Sequence, residues 1–139
     1  MVSVVTVTYN SEETIGRAMD SLVGQSSHHV EHLIMDGGST DKTLEIVERH
    51  RNVYEQCGMA LRVFSEKDRG PYDAMNKGIR IATGDLVGIL NSDDYYDPCA
   101  IETAEKLVPD STVVIRSNPP DTTVRYQYTL QLFRKNVEE

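Results

Sequence analysis

The 139-residue chain is 39% hydrophobic and 26% charged, the balance of an ordinary soluble globular domain with one core. A net charge of -8 leaves no basic footprint for nucleic acid, and the apolar runs are strand-sized, too short to span a membrane. Cys57 and Cys99 are too few for a disulfide framework or a zinc site and read as two buried thiols.

The first predicted element, Val2 to Thr8, is a β-branched run without polar alternation, as in a strand buried on both faces. No basic leader precedes it, so the start reads as a core strand rather than a signal peptide, and the chain as cytoplasmic. Ser11 offers an N-cap, and Ile15, Ala18, Met19, Leu22 and Val23 form the stripe of a first helix. Val30 to Met35 is a second strand. Ser39 or Thr40 caps a second helix that turns Leu44, Ile46, Val47 and either Val53 or Tyr54 inward. Leu61 to Ser65 is a third strand, and Tyr72 to Ala82 a third helix closed by Thr83-Gly84 in the C-terminal glycine position. Leu86 to Leu90 is a fourth strand. Pro98 opens a fourth helix through Leu107, and Thr112 to Ile115 is a fifth strand. His28, His29, His32 and His50 are assigned no role.

Repeated β-α-β units with short connections imply an α/β, Rossmann-like domain: a mostly parallel sheet with helices on both faces. Such sheets bind ligands at the carboxyl ends of their strands. The polar motifs fall there: Thr8-Tyr9-Asn10, Asp36-Gly37-Gly38-Ser39-Thr40-Asp41, Ser65-Glu66-Lys67-Asp68-Arg69-Gly70 and Asn91-Ser92-Asp93-Asp94. The opposite rim carries bland turns such as Gln25-Ser26-Ser27.

Each motif has two readings. Asp93 and Asp94, adjacent after an apolar strand, repel each other, and a hard divalent cation bound to phosphate relieves that; the alternative is a solvated turn in which Asp94 or Asp97 caps the next helix. Asp36 suits a base N–H or a ribose hydroxyl, or ends a tight strand-to-helix turn capped by Ser39 and Asp41. Tyr9 lays its ring on a nucleobase or merely covers the sheet end. Arg69 pairs with phosphate or with Asp68. Asp73, Asn76 and Lys77 meet phosphate or sugar oxygens near the positive end of a helix, or form a solvated face. Dinucleotide, NTPase and serine-hydrolase fingerprints are absent.

Five stretches together resemble the family-two inverting glycosyltransferases of the A-type (nucleotide-diphospho-sugar transferase) fold. They are Val4 to Asn10, Ile34 to Asp41, Ser65 to Gly70, Tyr72 to Gly78, and Ala82 to Asp85 running into Leu90 to Asp94, in the family's order over residues 1 to about 98. The wording is similar to bacterial transferases that build capsular, exopolysaccharide or lipopolysaccharide sugars. The resemblance implies a UDP-sugar or GDP-sugar donor and a saccharide or lipid-linked acceptor. It implies that Tyr9 stacks on the base with Thr8 shaping the pocket, that Asp36 contacts the base, and that Arg69, Asp73 and Asn76 line the diphosphate and sugar. Asp93 would then face the ribose, and Asp94 would hold manganese or magnesium. Relatives often carry an acid where Gly37 and Asn91 stand. The resemblance further implies inverting transfer to an acceptor hydroxyl, with the general base downstream of the acid pair.

The family's motifs fade after Ile115. Residues 1–116 therefore read as the donor-binding domain, and residues 117–139 as a loop and an amphipathic strand in which Val124, Tyr126, Tyr128, Leu130 and Leu132 alternate with polar residues. No catalytic base is identifiable, so the chain reads as a short form without a legible acceptor half. It is either a transferase, cytoplasmic or peripheral at the inner membrane face, or a non-catalytic nucleotide-sugar-binding domain. The C-terminal strand would be an exposed edge, open to a partner or a second copy.

Overall fold

A computed structural model of the chain describes residues 1–107, 113–115 and 130–134. The elements follow in the order β1 (Val2–Thr8), α1 (Ile15–Val23), β2 (Val30–Asp36), α2 (Thr43–Arg49), α3 (Arg51–Cys57), β3 (Ala60–Ser65), α4 (Pro71–Ile81), β4 (Leu86–Ile89), α5 (Ala100–Leu107), β5 (Val113–Ile115) and β6 (Leu130–Arg134). They build one sheet of order β3-β2-β1-β4-β6-β5. β1 pairs in parallel with β2 and β4, β2 pairs in parallel with β3, and β6 runs antiparallel to both neighbours. The expected mostly parallel α/β sheet is present.

Strand alternation divides the core into two layers. Val2, Val4 and Ile34 pack against Ile15, Met19 and Leu22 of α1, Val47 of α2, Tyr54 of α3 and Ile101 of α5. Val5, Leu33, Met35 and Val87 face the other way, onto Ala74 of α4. Helices therefore cover both faces, and the strands between bury a few polar side chains, Ser3, Thr6, Glu31 and His32 among them, within an apolar majority.

Local details differ from expectation for identifiable reasons. The single second helix is two, α2 and α3, parted at His50. Its ring bonds the Ile46 carbonyl at 2.9 Å and Asp20 at 2.9 Å, while its N–H turns to Val47. The side chain has entered the i→i−4 ladder, a standard cause of a helix break. Ser39 and Thr40 do not cap α2: Ser39 donates to Asp36, and the Thr43 N–H donates to Asp41. Ser11 starts α1 through its carbonyl, accepting from Thr14 and Ile15, while its hydroxyl donates to the Tyr9 carbonyl. Pro98 precedes α5 rather than opening it, because Asp97 supplies the carbonyl that accepts from Ala100. Gly84 is not a left-handed cap; a Cβ there would lie 2.7 Å from the Ser3 nitrogen, so close approach selects glycine. Cys99 is exposed and Cys57 half-buried, so neither is the buried thiol expected.

The C-terminal strand also departs from its reading. Residues 124–129 lie outside the described residues. β6 sits between β4 and β5, paired on both sides, and is not the exposed edge. β5 and β3 are the outer strands of the sheet.

The rim opposite the polar motifs is not bland. Glu31 is 4% exposed and accepts from Ser3, Thr83 and Arg62. Burial alone would raise its pKa, but the donors from Ser3, Thr83 and Arg62 outweigh it and hold the carboxyl below the usual range. Gln25 is likewise buried, its amide donating to the Ser21 and Asp97 carbonyls and accepting from Ile101 N–H.

Candidate functional site

Parallel register brings the carboxyl ends of β1, β2 and β3 level, with Thr8 beside Asp36 and Asp36 beside Ser65. β4 ends alongside, and Leu90 N–H bonds the Val5 carbonyl before the chain turns into Asn91. The four polar loops expected from the sequence thus share one rim.

Among the described residues, two adjoining hollows open on this rim. One, about 490 Å³, is lined by Thr8, Tyr9, Gly37, Lys67, Asp68 and Gly70 among others. The other, about 650 Å³, reaches from Thr8 and Tyr9 across Ser11 and Asp41 to Asn91, Ser92 and Asp93. Val7, Thr8, Tyr9 and Pro71 line both, so the end of β1 stands between two halves of one cleft.

Asn10 fixes that end. It holds φ 46°, a left-handed conformation that asparagine tolerates better than most residues. Its side-chain oxygen accepts from Thr40 N–H at 2.8 Å and Asp41 N–H at 3.3 Å, and its own N–H donates to Ser39 at 2.8 Å. The β1 and β2 loops are clipped together, leaving the Tyr9 ring 60% exposed over the cleft. Thr8 is 1% exposed, and its hydroxyl is the one buried side-chain polar atom among the described residues without a hydrogen-bond partner. Buried polar groups are nearly always satisfied, so an orphan lining a hollow points to a ligand.

Asp36 ends the tight strand-to-helix turn that was one of its two readings. The residue is 2% exposed; one carboxylate oxygen accepts from Gly38 N–H, Ser39 N–H and the Ser65 hydroxyl, and the other from the Ser39 hydroxyl. Its carboxylate organises its own loop. Asp68, on the β3 loop, lies nearer the cleft: a Cβ on Gly37 would come 2.9 Å from one of its carboxylate oxygens. A side chain at position 37 would require the Asp68 carboxylate to shift.

Arg69, Asp73 and Asn76 line neither hollow. The Asp73 carboxylate accepts from Arg69 N–H at 3.1 Å and meets Lys77 at 3.3 Å, which keeps its carboxyl below the usual range. These contacts shape the turn from Gly70 into α4. Asp93 is exposed and lines the larger hollow. Asp94 lies beside it, half-buried, its N–H bonded to the Asn91 carbonyl and its carboxylate 3.3 Å from the Asn91 amide. Burial, then the charge of Asp93, pushes the Asp94 carboxyl up. The pair is under-compensated, as expected for neighbouring acids at a half-buried turn.

Sequence reasoning missed the residues that hold this rim in place. Asn10 was legible as an asparagine at a loop corner. Arg17 and Ser21 of α1, with Gln25 just past its end, were visible as polar residues at four-residue steps.

The sequence matches the family model described as Glycosyl transferase family 2 over residues 3–137. The chain belongs to this family. The match continues past Ile115, beyond the last recognisable motif. Chondroitin synthase of Escherichia coli is 34% identical over 102 residues, covering 73% of this chain and 14% of that protein. S. aureus TarS 1-349 in complex with UDP-GlcNAc superposes with a TM-score of 0.75 at 27% identity, covering 90% of this chain and 37% of that one. The mannosyltransferase PcManGT of Pyrobaculum calidifontis, in complex with GDP-Man and Mn2+, gives 0.72 at 30% identity, covering 84% and 34%. This family 2 chain thus spans well under half the length of these relatives and shares their A-type fold.

Proposed function

We propose that the chain binds the nucleotide-diphosphate sugar donor, UDP- or GDP-linked, of a glycosyltransferase reaction. The observation carrying this is a rim that brings together an exposed Tyr9, an unpartnered buried Thr8 hydroxyl and Asp93 around two adjoining hollows, with Asp94, which lines neither, next in the chain. The neighbours that contain UDP-GlcNAc or GDP-Man support it.

In this reading Tyr9 takes the base on its ring, and Thr8, with the Asp68 carboxylate nearby, meets its polar edge. Asp36 sets the loop beneath. Asp93 faces the ribose. Arg69, Asp73 and Asn76 form the turn and helix start toward which the diphosphate and sugar extend.

The residues present fit a divalent cation. Among the described residues no three His, Cys, Asp or Glu side chains gather as a metal centre. Asp94 and Asp93 nevertheless offer hard oxygen ligands whose burial and mutual repulsion Asn91 and Arg17 offset only in part. Mg2+-like ions are commonly held by one or two carboxylates with substrate phosphates completing the shell, so Asp94, with Asp93 beside it, would hold manganese or magnesium here. When bound, such an ion stabilises negative charge on the departing nucleoside diphosphate.

Transfer would proceed by attack of an acceptor hydroxyl on the anomeric carbon, with inversion, its proton passing to a general base downstream of the acid pair. The acceptor would be a saccharide or a lipid-linked sugar in cell-surface polysaccharide synthesis. Residues 1–116 would supply the donor site, and residues 117–139 begin the part that meets the acceptor. No described helix is long and apolar enough to cross a membrane; the proposed location is the cytoplasm or the inner membrane face.

Thermal melting with UDP, GDP and their sugars, each with and without manganese, tests the donor site. A ligand at a hundred times its dissociation constant adds about 2.7 kcal/mol of stability. The expected result is a rise in Tm that needs both nucleotide and metal; no rise with any pair rejects the proposal. An assay of sugar transfer then separates a transferase from a domain that only binds the donor.

A further inference from the structure

Arg17 and Ser21 stand four residues apart on one stripe of α1, and Gln25 follows just past its end. Each takes backbone groups from the segment that begins at the acid pair. Arg17 donates to the Asp93 carbonyl at 3.1 Å, and its guanidinium lies 5.4 Å from the centre of the Tyr95 ring. The Ser21 hydroxyl accepts from Tyr96 N–H at 3.1 Å. Gln25 donates to the Asp97 carbonyl at 2.7 Å and accepts from Ile101 N–H at 3.0 Å. From the β1 side, the Ser11 hydroxyl reaches the Ser92 hydroxyl at 3.1 Å. Residue 94 is thus flanked by two groups that a single side chain holds.

We propose that Arg17 is a positioning residue for the acid pair: anchored on α1, it fixes the Asp93 carbonyl and the Tyr95 ring and so sets Asp94 for the cation and diphosphate. This rests on the donor-binding reading above. The guanidinium suits both tasks, because its fork donates to the carbonyl while its plane lies against an aromatic face. A lysine keeps a donor but loses the plane. Arg17 lines neither hollow, so it acts on the ligand through the acid pair, by its hold on the turn and by its charge close to Asp94. Ser21 and Gln25 continue the same attachment toward α5, which makes α1 the rail along which the segment from Asp93 to Ile101 is laid.

The test compares the parent chain with Arg17→Ala and Arg17→Lys. Without ligand, hydrogen exchange at the amides of Asp94 and Tyr96, bonded to Asn91 and Ser21, should be about tenfold faster in Arg17→Ala, as expected for loss of a hydrogen bond from a charged donor. Arg17→Lys should recover part of the protection, and the β1 amides should not change. Equal exchange at Asp94 and Tyr96 in all three proteins overturns the proposal. Calorimetry with UDP and with GDP, each with and without manganese, is the second arm. Arg17→Ala should lose about tenfold of the manganese-dependent gain and keep the metal-free affinity, with Arg17→Lys between. A loss equal in both conditions, or none, also overturns it. A parent chain that binds neither nucleotide with manganese defeats the donor reading instead, and the exchange rates still decide whether Arg17 holds the turn.

Discussion

Tyr9, 60% exposed, is followed by Asn10 and Ser11, whose N–H groups donate to the Ser39 and Thr43 hydroxyls, so its ring presents a flat surface to the cleft from an anchored backbone. Stacking of a base on such a ring contributes about 1–3 kcal/mol. Tyr9→Ala should therefore weaken binding of the free nucleoside diphosphate by about tenfold or more in calorimetry, with the melting temperature of the free protein nearly unchanged; equal affinity would make the ring a cover for the sheet end. Asp94→Asn keeps the shape and removes the charge. It should abolish the manganese-dependent part of nucleotide affinity while the circular dichroism spectrum stays the same, and unchanged affinity would remove Asp94 from the site. Both residues stood out as candidates in the sequence because each lies in the polar loop that follows a buried strand. The involvement of Asp36 in its own loop was not, since an acid that organises a turn and an acid that binds a ligand look alike until the donors around it are known. The donors from Gly38, Ser39 and Ser65 are visible only in three dimensions.

At the scale of elements, α4 and α1 lie against the sheet under different constraints, and two glycines show it. A Cβ on Gly78 of α4 would come 2.5 Å from one methyl of Val5 and 3.1 Å from Met35 Cγ, so α4 can approach β1 and β2 only without a side chain there. Gly78→Ala should destabilise the protein by about 1–3 kcal/mol through overpacking, read as a lower urea midpoint. On α1 the nearest atom to a Cβ on Gly16 is 3.6 Å away. Gly16→Ala should instead raise the midpoint, stabilising by about 0.5–1 kcal/mol through helix propensity. Opposite signs are the prediction; like signs would contradict the packing described. Element type was readable throughout β1 to α4 because apolar periodicity is long and regular there. The starts of the helices were not, since Ser11, Ser39 and Thr40 can each cap a helix or bond a neighbouring loop. The break at His50 depends on an acceptor from α1, Asp20, which no local pattern reveals.

For the whole molecule, the layer beneath the cleft is held by a buried polar relay as well as by apolar packing. His32 is fully buried, between the Thr6 hydroxyl at 2.7 Å and the Tyr54 hydroxyl at 2.8 Å, with the Tyr54 ring stacked 5.8 Å away. Burial, reinforced by the charge of His50, pushes its pKa down to about 3. An unfolded histidine titrates near 6.5. Between these values the unfolded chain takes up a proton that the folded chain refuses. The histidine is therefore without cost to the fold above pH 6.5, and stability is lost as pH falls from there toward 3, by about 1.4 kcal/mol per pH unit at full effect. Urea midpoints of the parent and His32→Gln at pH 7 and pH 4.5 should show the steeper fall in the parent; parallel falls would contradict a neutral, buried His32. The fold class and the common rim followed from alternating strands and helices. The placement of β6 inside the sheet did not, because an amphipathic strand near a chain end fits an inner or an outer position equally well until its partners are known. What the account claims above all is that this rim is one nucleotide site. A crystal structure of the chain with UDP or GDP and manganese tests it most directly: the account predicts the base against Tyr9 and the metal at Asp94, within one continuous cleft. A nucleotide bound elsewhere, or a metal remote from Asp94, would contradict it.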